Sequence, residues 1–484
     1  MIKIINHMLR KLMILVLVVN SSIVLSQNWQ DIGGLQVWPP RCFYEDTTEG
    51  VLYIGGSFYL AGSDTVAGIV KWDGHQFTPL GCGVNWDCTT WITPNTYGGY
   101  VHAIAKYKGE IYVGGTIALA GGKHVNNIAR WNGTEWDSVS SGVNNTVNML
   151  EVIDDVLYVG GGFKSAGGIS VNGLAKWDGT TWSDVYGFPD FCELYNIILC
   201  IRKYKNELYV GGNFGTYDCY DSLMDIAKYD GINWVKVGGS MHGGMSGLVN
   251  MQVYNEELYI SGAFYKLDGN IGNFIQKWDG VQWKEVGGSV WGVYGDLYSN
   301  GQIHDMKVKN NELYIGGVFH YAGNAPISLV AKWDGSKWCG FGGNIDNGVN
   351  CLGFLHDTLY IGGGFRTIDG DSMNFLAQWI GGNYIDTCST LGINEIIPEN
   401  DIIQIFPNPA TNTISINMSS RMLQNATTET EYKIINKLGQ QVKTGTIKDF
   451  PYTVSIEDLN EGLYVLILQS DRFNETRKFV KMEE

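Results

Sequence analysis

A sevenfold internal repeat is the feature that most constrains how this chain can fold. Each copy has a core like Leu-Tyr-Val-Gly-Gly, and the cores begin at Leu52, Ile111, Leu157, Leu208, Leu258, Leu313 and Leu359. The aromatic residue of a Lys-Trp-Asp-Gly-like motif follows 20 residues later in six copies and 21 later in the fourth. Such regular spacing indicates one structural unit packed against copies of itself.

Four short strands are predicted in every repeat. In the third repeat they are the segments VNMLEVI, VLYVGG, NGLAKW and TTWSDV. The last two are joined by Asp-Gly, or by Asn132-Gly133 in the second repeat, which favours a two-residue turn. That turn would make Trp177 and Trp182 diagonal neighbours on one sheet face. Four strands in roughly 40 to 50 residues are typical of a propeller blade. The sequence therefore predicts an all-β, seven-bladed β-propeller over residues 27–388.

The paired glycines after a Leu-Tyr-Val strand, followed by the aromatic residues, resemble kelch-type propellers. WD repeats fit less well, because no Gly-His precedes the Trp-Asp, and the Asp-box of sialidases would need one more residue in Asp-Gly-x-x-Trp. Two segments compete to supply the outer strand of the last blade. They are NWQDIGG at residues 28–34 and NYIDT at residues 383–387, and the sequence leaves both open.

The N-terminus has the pattern of a secretory signal peptide. Lys3, Arg10 and Lys11 precede an apolar run from Leu12 to Val19, and small residues follow around Ser26. We expect a signal peptide over residues 1–26, cleaved before Gln27. No later apolar stretch is long enough to span a membrane, so no transmembrane segment is expected in the mature chain.

The chain has nine cysteines, an odd number, and export would expose them to an oxidising compartment. Their spacing favours a disulfide between Cys82 and Cys88 and some pairing among Cys192, Cys200 and Cys219. Cys351 stands where other repeats carry Met149 or Met251, which predicts a buried free thiol. Because close Cys-x-x-Cys pairs are absent, neither a metal site nor a cofactor is predicted.

The composition changes after Cys388. Residues 389–402 read as a linker, and residues 403–484 alternate strands with turn signals, which predicts a small Ig-like β-sandwich. Its motifs closely resemble the type A C-terminal sorting domain of the type IX secretion system of Bacteroidetes. The matching elements are Pro407-Asn408-Pro409, the Leu438-Gly439-Gln440-Gln441-Val442 hairpin, Leu459 to Tyr464 with Gly462, and Lys478-Phe479-Val480-Lys481.

This resemblance implies a route and partners. The chain would cross the inner membrane by its signal peptide, pass through the periplasm, and cross the outer membrane by the type IX machinery. A sorting peptidase would then remove the domain near its linker. The mature protein would be extracellular or attached to the outer-membrane surface. The residues that would carry the sorting signal are Pro407, Asn408, Pro409, Gly439, Gly462, Tyr464, Lys478 and Val480.

The repeated motif itself is predicted to be scaffold, because seven copies do not make one catalytic site. The sequence lacks His-Glu-x-x-His, Gly-x-Ser-x-Gly and phosphate-loop motifs. A net charge of −16 leaves no broad basic surface, so nucleic acid is not an expected partner. Calcium at the Asp-Gly turns or at Asp369 to Ser372 is a less favoured alternative.

Three connections between repeats are lengthened, after Phe77, Trp182 and Trp283, and all should lie on one face of the propeller. They carry aromatic residues, which are Trp86, Trp91, Tyr97, Tyr100, Phe188, Phe191, Tyr195, Trp291, Tyr294 and Tyr298. Exposed rings on such a face predict a binding surface for a glycan or a surface protein. The alternative is that these rings only pack the loops onto the blades.

A non-enzymatic binding protein is therefore the preferred interpretation. The second hypothesis is an extracellular polysaccharide hydrolase or lyase that uses carboxylates of the same face, such as Asp87, Asp190, Glu193 or Asp296. The third is a structural component of the cell surface.

Overall fold

The computed structural model describes residues 28–36, 38–62, 64–85, 99–189, 197–214, 226–238, 248–262, 264, 274–292, 302–323, 325–327, 329–381, 403–406, 410–418, 430–437, 440–449, 451–470 and 474–482. Strands and turns make up all of the regular structure in these ranges, which confirms the all-β class. No helix in them is long and apolar enough to cross a membrane. The predicted signal peptide and the linker lie outside these residues.

The chain divides into two compact units, residues 1–391 and 392–484. In the described part of the first unit there are seven antiparallel sheets of four strands each. We number them 1 to 7 and call their strands inner, second, third and outer.

Every sheet is built in the order inner, second, third and outer strand. Sheet 1 comprises Pro40–Asp46, Val51–Gly56, Ile69–Trp72 and Phe77–Pro79, and sheet 2 comprises Val101–Tyr107, Glu110–Gly115, Ile128–Trp131 and Trp136–Ser138. Sheet 3 comprises Val147–Ile153, Val156–Gly161, Leu174–Trp177 and Trp182–Asp184, and sheet 4 comprises Ile197–Tyr204, Glu207–Asn213, Ile226–Tyr229 and Trp234–Lys236. Sheet 5 comprises Leu248–Tyr254, Glu257–Gly262, Ile275–Trp278 and Trp283–Glu285, and sheet 6 comprises Gln302–Lys309, Glu312–Val318, Val330–Trp333 and Trp338–Gly340. Sheet 7 comprises Val349–Leu355, Thr358–Gly363, Leu376–Trp379 and Trp29–Asp31.

The seven sheets contact one another in a closed cycle. The inner strand of each sheet touches the inner strands of two neighbours, in the order 1 to 7 and from 7 back to 1. Seven hydrophobic clusters follow the same cycle, and each draws its buried side chains from two adjacent sheets. Most of the core therefore lies between sheets, so no sheet can bury its apolar faces alone.

The N-terminal segment supplies the outer strand of sheet 7. Trp29 pairs with Trp379, Gln30 with Gln378 and Asp31 with Ala377. Trp29 takes the place that the second tryptophan has in other sheets, and its Nε1 donates to the Gly342 carbonyl at 3.2 Å. The choice that the sequence left open is thus decided for the N-terminal segment.

In the first six repeats the two aromatic residues are direct cross-strand partners rather than diagonal neighbours. Trp177 pairs with Trp182, and their ring centroids are 5.2 Å apart. The connecting turn has four residues, and Asp178 Oδ1 accepts the backbone N–H groups of Thr180 and Thr181 at 2.7 and 2.8 Å. The predicted two-residue turn is therefore wrong. The Asp caps the turn with its side chain, and Gly179 alone takes the positive φ, +101°.

The paired glycines of the repeats, replaced by Ser261-Gly262 in the fifth, lie opposite a β-bulge in the inner strand. In sheet 2, Gly114 pairs with Ala103 and Gly115 with Val101, so His102 has no partner residue. A Cβ on Gly115 would collide with the carbonyl oxygen of Tyr100. The second glycine is thus required by the close approach of the bulged strand.

The cysteines differ in part from the prediction. Cys82 is disulfide-bonded, and so is Cys339. The predicted partner of Cys82, Cys88, lies outside the described residues, as do Cys192 and Cys219. Cys200 is a buried free thiol whose Sγ lies 4.0 Å from the Leu248 carbonyl oxygen of the next sheet. A disulfide within the predicted group of three would therefore join Cys192 and Cys219. Cys351 is a buried free thiol as predicted.

The second unit consists of two small antiparallel sheets around a shared core. One contains Ile403–Phe406, Thr413–Met418 and Tyr452–Ser455, and the other contains, from edge to edge, Gln441–Ile447, Thr430–Asn436, Gly462–Gln469 and Asn474–Lys481. Buried Ile414, Ile434, Leu466 and Phe479 belong to that core.

Candidate functional site

The connections between successive sheets and the hairpins between second and third strands lie at the same end of the sheets. We call this end the loop face. At five of the seven junctions the described residues show the connection from one sheet pairing with the hairpin between the second and third strands of the following sheet. These pairings join Val84 to Ala120, Val143 to Ala166, Ile345 to Ile368, Val290–Trp291 to Tyr321–Ala322, and Leu35–Gln36 to Leu60–Ala61. The loop face is thus built from short hairpins that fix the position of the side chains between them.

A polar cap recurs on this face, directly after the paired residue. Asn85 Oδ1 accepts the backbone N–H of Ala118 at 2.9 Å, and Asn144 Oδ1 accepts that of Lys164 at 2.9 Å. Asp346 Oδ1 accepts the N–H of Arg366 at 2.8 Å. Each cap locks a connection onto the neighbouring hairpin.

Trp291 occupies the same position between sheets 5 and 6, and it breaks this pattern. Its ring is 37% exposed, and its cross-strand partner Tyr321 is 40% exposed. The Trp291 Nε1 donates to the Gly288 carbonyl at 3.1 Å, which orients the ring. Trp38, in the connection that leads into sheet 1, is 55% exposed. Three large rings of the loop face therefore remain open to solvent.

The other predicted aromatic residues have different positions. Phe188 is buried, with its ring perpendicular to Trp234 at a centroid distance of 4.8 Å, so its assignment to a binding surface is wrong. Tyr100 is half-buried under the Arg41 guanidinium. The rest of the predicted set lies outside the described residues, namely Trp86, Trp91, Tyr97, Phe191, Tyr195, Tyr294 and Tyr298.

The seven bulges form a second set of side chains at the loop-face end of the inner strands. The bulged residues are Arg41, His102, Asn148, Leu199, Val249, His304 and Asn350. All are partly or fully exposed, whereas the residue before each is buried. A bulge turns its side chain out of the packed face of the sheet. We call this set the bulge ring.

Five side chains of sheets 6, 7, 1 and 2 form a continuous arc around the bulge ring. His304 Nδ1 lies 3.1 Å from the Val349 carbonyl, and Asn350 Nδ2 donates to the Pro40 carbonyl at 3.1 Å. The Arg41 guanidinium lies 4.2 Å from the Tyr100 ring centroid, and the Tyr100 and His102 rings are 5.9 Å apart.

Both histidines of the arc are uncharged at neutral pH. Burial, assisted by the nearby charge of Arg41, lowers the pKa of His102 to about 4. Burial also lowers the pKa of His304. Arg41 is exposed and forms no ion pair with any described residue. The arc therefore combines one open guanidinium with neutral hydrogen-bonding groups.

At the opposite end of the inner strands, the charges are paired. Lys106 Nζ lies 2.6 Å from Asp46 Oδ2, Arg202 Nη1 lies 2.8 Å from Glu151 Oε2, and Lys309 Nζ lies 3.1 Å from Asp357 Oδ1. Burial alone would raise the pKa of Asp46, but hydrogen bonds from Lys106, Thr48 and the Glu49 N–H outweigh it and lower that pKa. Each of these three basic side chains thus has a carboxylate partner, whereas Arg41 has none among the described residues.

No group of three or more His, Cys, Asp or Glu side chains suited to a metal ion occurs within the described ranges. Asp369, proposed as one end of a calcium loop, accepts the Asn344 N–H at 2.7 Å. The carboxylates considered for hydrolysis, Asp87, Asp190, Glu193 and Asp296, lie outside the described residues.

In the second unit, the residues of the predicted sorting signal differ in how deeply they are buried. Tyr464 is buried, stacks on Phe479 at 5.5 Å, and donates its hydroxyl to the Asn460 carbonyl at 2.7 Å. Gly462 has φ +148°. Lys478 and Val480 are exposed on the last strand, where Val480 pairs with the exposed Leu463. Pro407, Asn408, Pro409 and Gly439 lie outside the described residues.

Residues 404–482 match the family of secretion system C-terminal sorting domains. This match covers the two sheets of the second unit and supports the resemblance to type IX sorting domains. The sorting domain implies contact with the type IX secretion machinery and export to the cell surface or the extracellular space. No curated protein matches the chain.

Proposed function

We propose that this chain is an exported glycan-binding protein. In this proposal residues 27–388 form a seven-bladed, kelch-like β-propeller, and its loop face binds the glycan. The closed cycle of inner-strand contacts and the seven inter-sheet clusters support the propeller. The signal peptide carries the chain into the periplasm, and the sorting peptidase cleaves within the linker at residues 389–402.

The exposed Trp291 and Tyr321 pair is the observation that carries the binding proposal. At three equivalent positions an Asn or Asp side chain caps the neighbouring hairpin. The fold therefore does not require an indole ring at the position of Trp291. Exposing a large ring to water is unfavourable, so its presence on an ordered hairpin favours a ligand. The apolar faces of sugar rings stack well on such side chains.

The test compares two double variants of the full exported chain on a glycan array. Trp291→Ala with Tyr321→Ala should weaken binding of the best-bound glycan by at least about tenfold, because two stacking surfaces are removed. The control is Ile232→Ala with Val281→Ala, at turn tips where both side chains are more than 80% exposed (81% and 84%). Unchanged binding by the first variant, or no bound glycan at all, would contradict the proposal.

A further inference from the structure

The arc around the bulge ring has a chemistry of its own, distinct from that of the aromatic rings. Arg41 is held by its stacking on Tyr100 at 4.2 Å and not by a carboxylate among the described residues. Stacking fixes the plane of a guanidinium and leaves its N–H groups free to donate. The N–H groups of Arg41 are therefore available to a ligand at the loop face.

The position of Arg41 follows from the backbone and not from a flexible loop. It is the bulged residue of sheet 1, between Pro40, which pairs with Gly56, and Cys42, which pairs with Gly55. The Asn350 side chain bonds the Pro40 carbonyl from sheet 7, which ties this bulge to the adjacent sheet. A cation placed by the scaffold loses little freedom when it binds a ligand.

We propose that the arc binds the carboxylate of an acidic sugar, with Arg41 as its anchor. This inference rests on the glycan-binding function proposed above and specifies the class of glycan. The planar guanidinium donates two parallel hydrogen bonds to one carboxylate. His102, neutral beside it, can hydrogen-bond a sugar hydroxyl, and the exposed Trp38, three residues before Arg41 in the chain, offers a ring to a neighbouring sugar.

The net charge of −16 restricts the ligand further. Charges more than about 8 Å away are largely screened at physiological ionic strength. The main electrostatic interaction of one bound carboxylate is therefore its attraction to Arg41. A long polyanion would instead be repelled by the negatively charged protein along the whole length of the polymer. We therefore expect a short or terminal acidic sugar to bind better than a continuous polyuronate.

The experiment measures binding of the full exported chain to trigalacturonate and to the neutral trisaccharide galactotriose. The wild type should bind the uronate probe about ten to a hundred times more tightly, the range expected for charge-assisted hydrogen bonds. Arg41→Gln should abolish this preference, and Arg41→Lys should restore only part of it, because an ammonium lacks the planar fork. The matched control is Arg366→Gln, which removes another exposed loop-face arginine that also stacks on a ring, 5.2 Å from Phe375.

Several results would overturn this inference. Equal affinity for the two trisaccharides, or full uronate binding by Arg41→Gln, would show that Arg41 does not select a carboxylate. Binding of a hexaglutamate peptide that depends on Arg41, without uronate binding, would replace the acidic sugar by an acidic peptide. Neutral-glycan binding that depends on Trp291 and Tyr321 would leave the proposed function intact while removing this inference.

Discussion

At the scale of single residues, the repeated glycines make room for the bulges and so determine which side chains are bulged. Gly114 and Gly115 have no side chains, so the inner strand of sheet 2 can gain one residue, and that residue is His102. The same arrangement recurs in the other sheets, although sheet 5 carries Ser261 in place of the first glycine. The scaffold motif therefore determines where seven variable side chains appear.

The buried ion pair between Lys106 and Asp46 should make stability depend on pH. Asp46 has a lowered pKa in the folded state, so its contribution is present above the carboxyl's unfolded pKa and is lost as pH falls through the folded value. Lys106→Met should reduce the free energy of unfolding by about 3 kcal/mol at pH 7, because it leaves a buried carboxylate without its cation. This deficit should shrink as the pH is lowered below about 4.

Urea unfolding of the full chain at several pH values measures both effects. Lys123→Met is the matched control, since Lys123 and Glu135 form a pair whose side chains are 51% and 65% exposed. It should cost less than about 1 kcal/mol. An equal loss in the two variants, or a Lys106→Met deficit that grows toward low pH, would contradict the assignment.

At the scale of strands, the closure of the cycle depends on the N-terminal segment. Trp29 is 1% exposed and packs edge-on against Trp379, with ring centroids 5.1 Å apart. It also belongs to the cluster between sheets 6 and 7. One short strand thus completes a sheet whose other strands are more than 300 residues away in sequence.

Trp29→Ala should therefore destabilise the first unit by about 3 to 5 kcal/mol, as expected for removal of a buried tryptophan. Gln30→Ala, the neighbouring exposed position of the same strand, should cost less than about 1 kcal/mol. Denaturant melts of the full chain, followed by tryptophan fluorescence, would compare the two. Similar stability of both variants would mean that the N-terminal strand is dispensable for closure.

The sequence predicted the fold better than the site, for physical reasons. Trp29 was one of two possible closing residues, because its motif matches an outer strand but pairing depends on tertiary structure. Phe188 was assigned to a binding surface from its place in a long aromatic loop, and burial against Trp234 overrode that pattern. A bulge inserts one residue and shifts the two-residue alternation at a point that no turn residue marks, so the pattern does not indicate that Arg41 and His102 both lie against Tyr100.

A signal for the bulge ring does exist in the sequence. The bulged residue lies nine positions before the Leu-Tyr core in six repeats, and eleven before it in the first, whose inner hairpin has a longer turn. Alignment of the repeats on their paired glycines places Arg41, His102 and His304 in one column once a two-residue gap is allowed for the longer inner turn of the first repeat.

At the scale of the whole molecule, the proposed binding face and the sorting domain belong to separate units. Among the described residues of the predicted sorting signal, Tyr464 is buried in the core of the small sheets, whereas Lys478 and Val480 are exposed on the last strand. Val480 and Leu463 are 36% and 48% exposed and pair across the strands, without a role in the core. Recognition by the machinery is therefore expected to use this exposed pair.

Val480→Asp should reduce the fraction of protein that reaches the cell surface or the medium, because it places a charge in an exposed apolar pair. Thr446→Asp, on the opposite edge strand of the same sheet, is the matched control and should leave export unchanged. Cell fractionation followed by immunoblotting measures the distribution. Equal export of both variants, with both sorting domains folded, would show that recognition does not involve Val480.

The pairing of Trp29 with Trp379 also sets the order of events during folding. Trp29 precedes Trp379 by 350 residues in the chain, so sheet 7 stays incomplete until its third strand has been synthesised. Contacts so distant in sequence slow folding, because a long loop must close before any pairing is gained. From its synthesis until the N-terminal strand pairs with it, the third strand of sheet 7 is an open edge, the kind of surface on which chains aggregate and chaperones act.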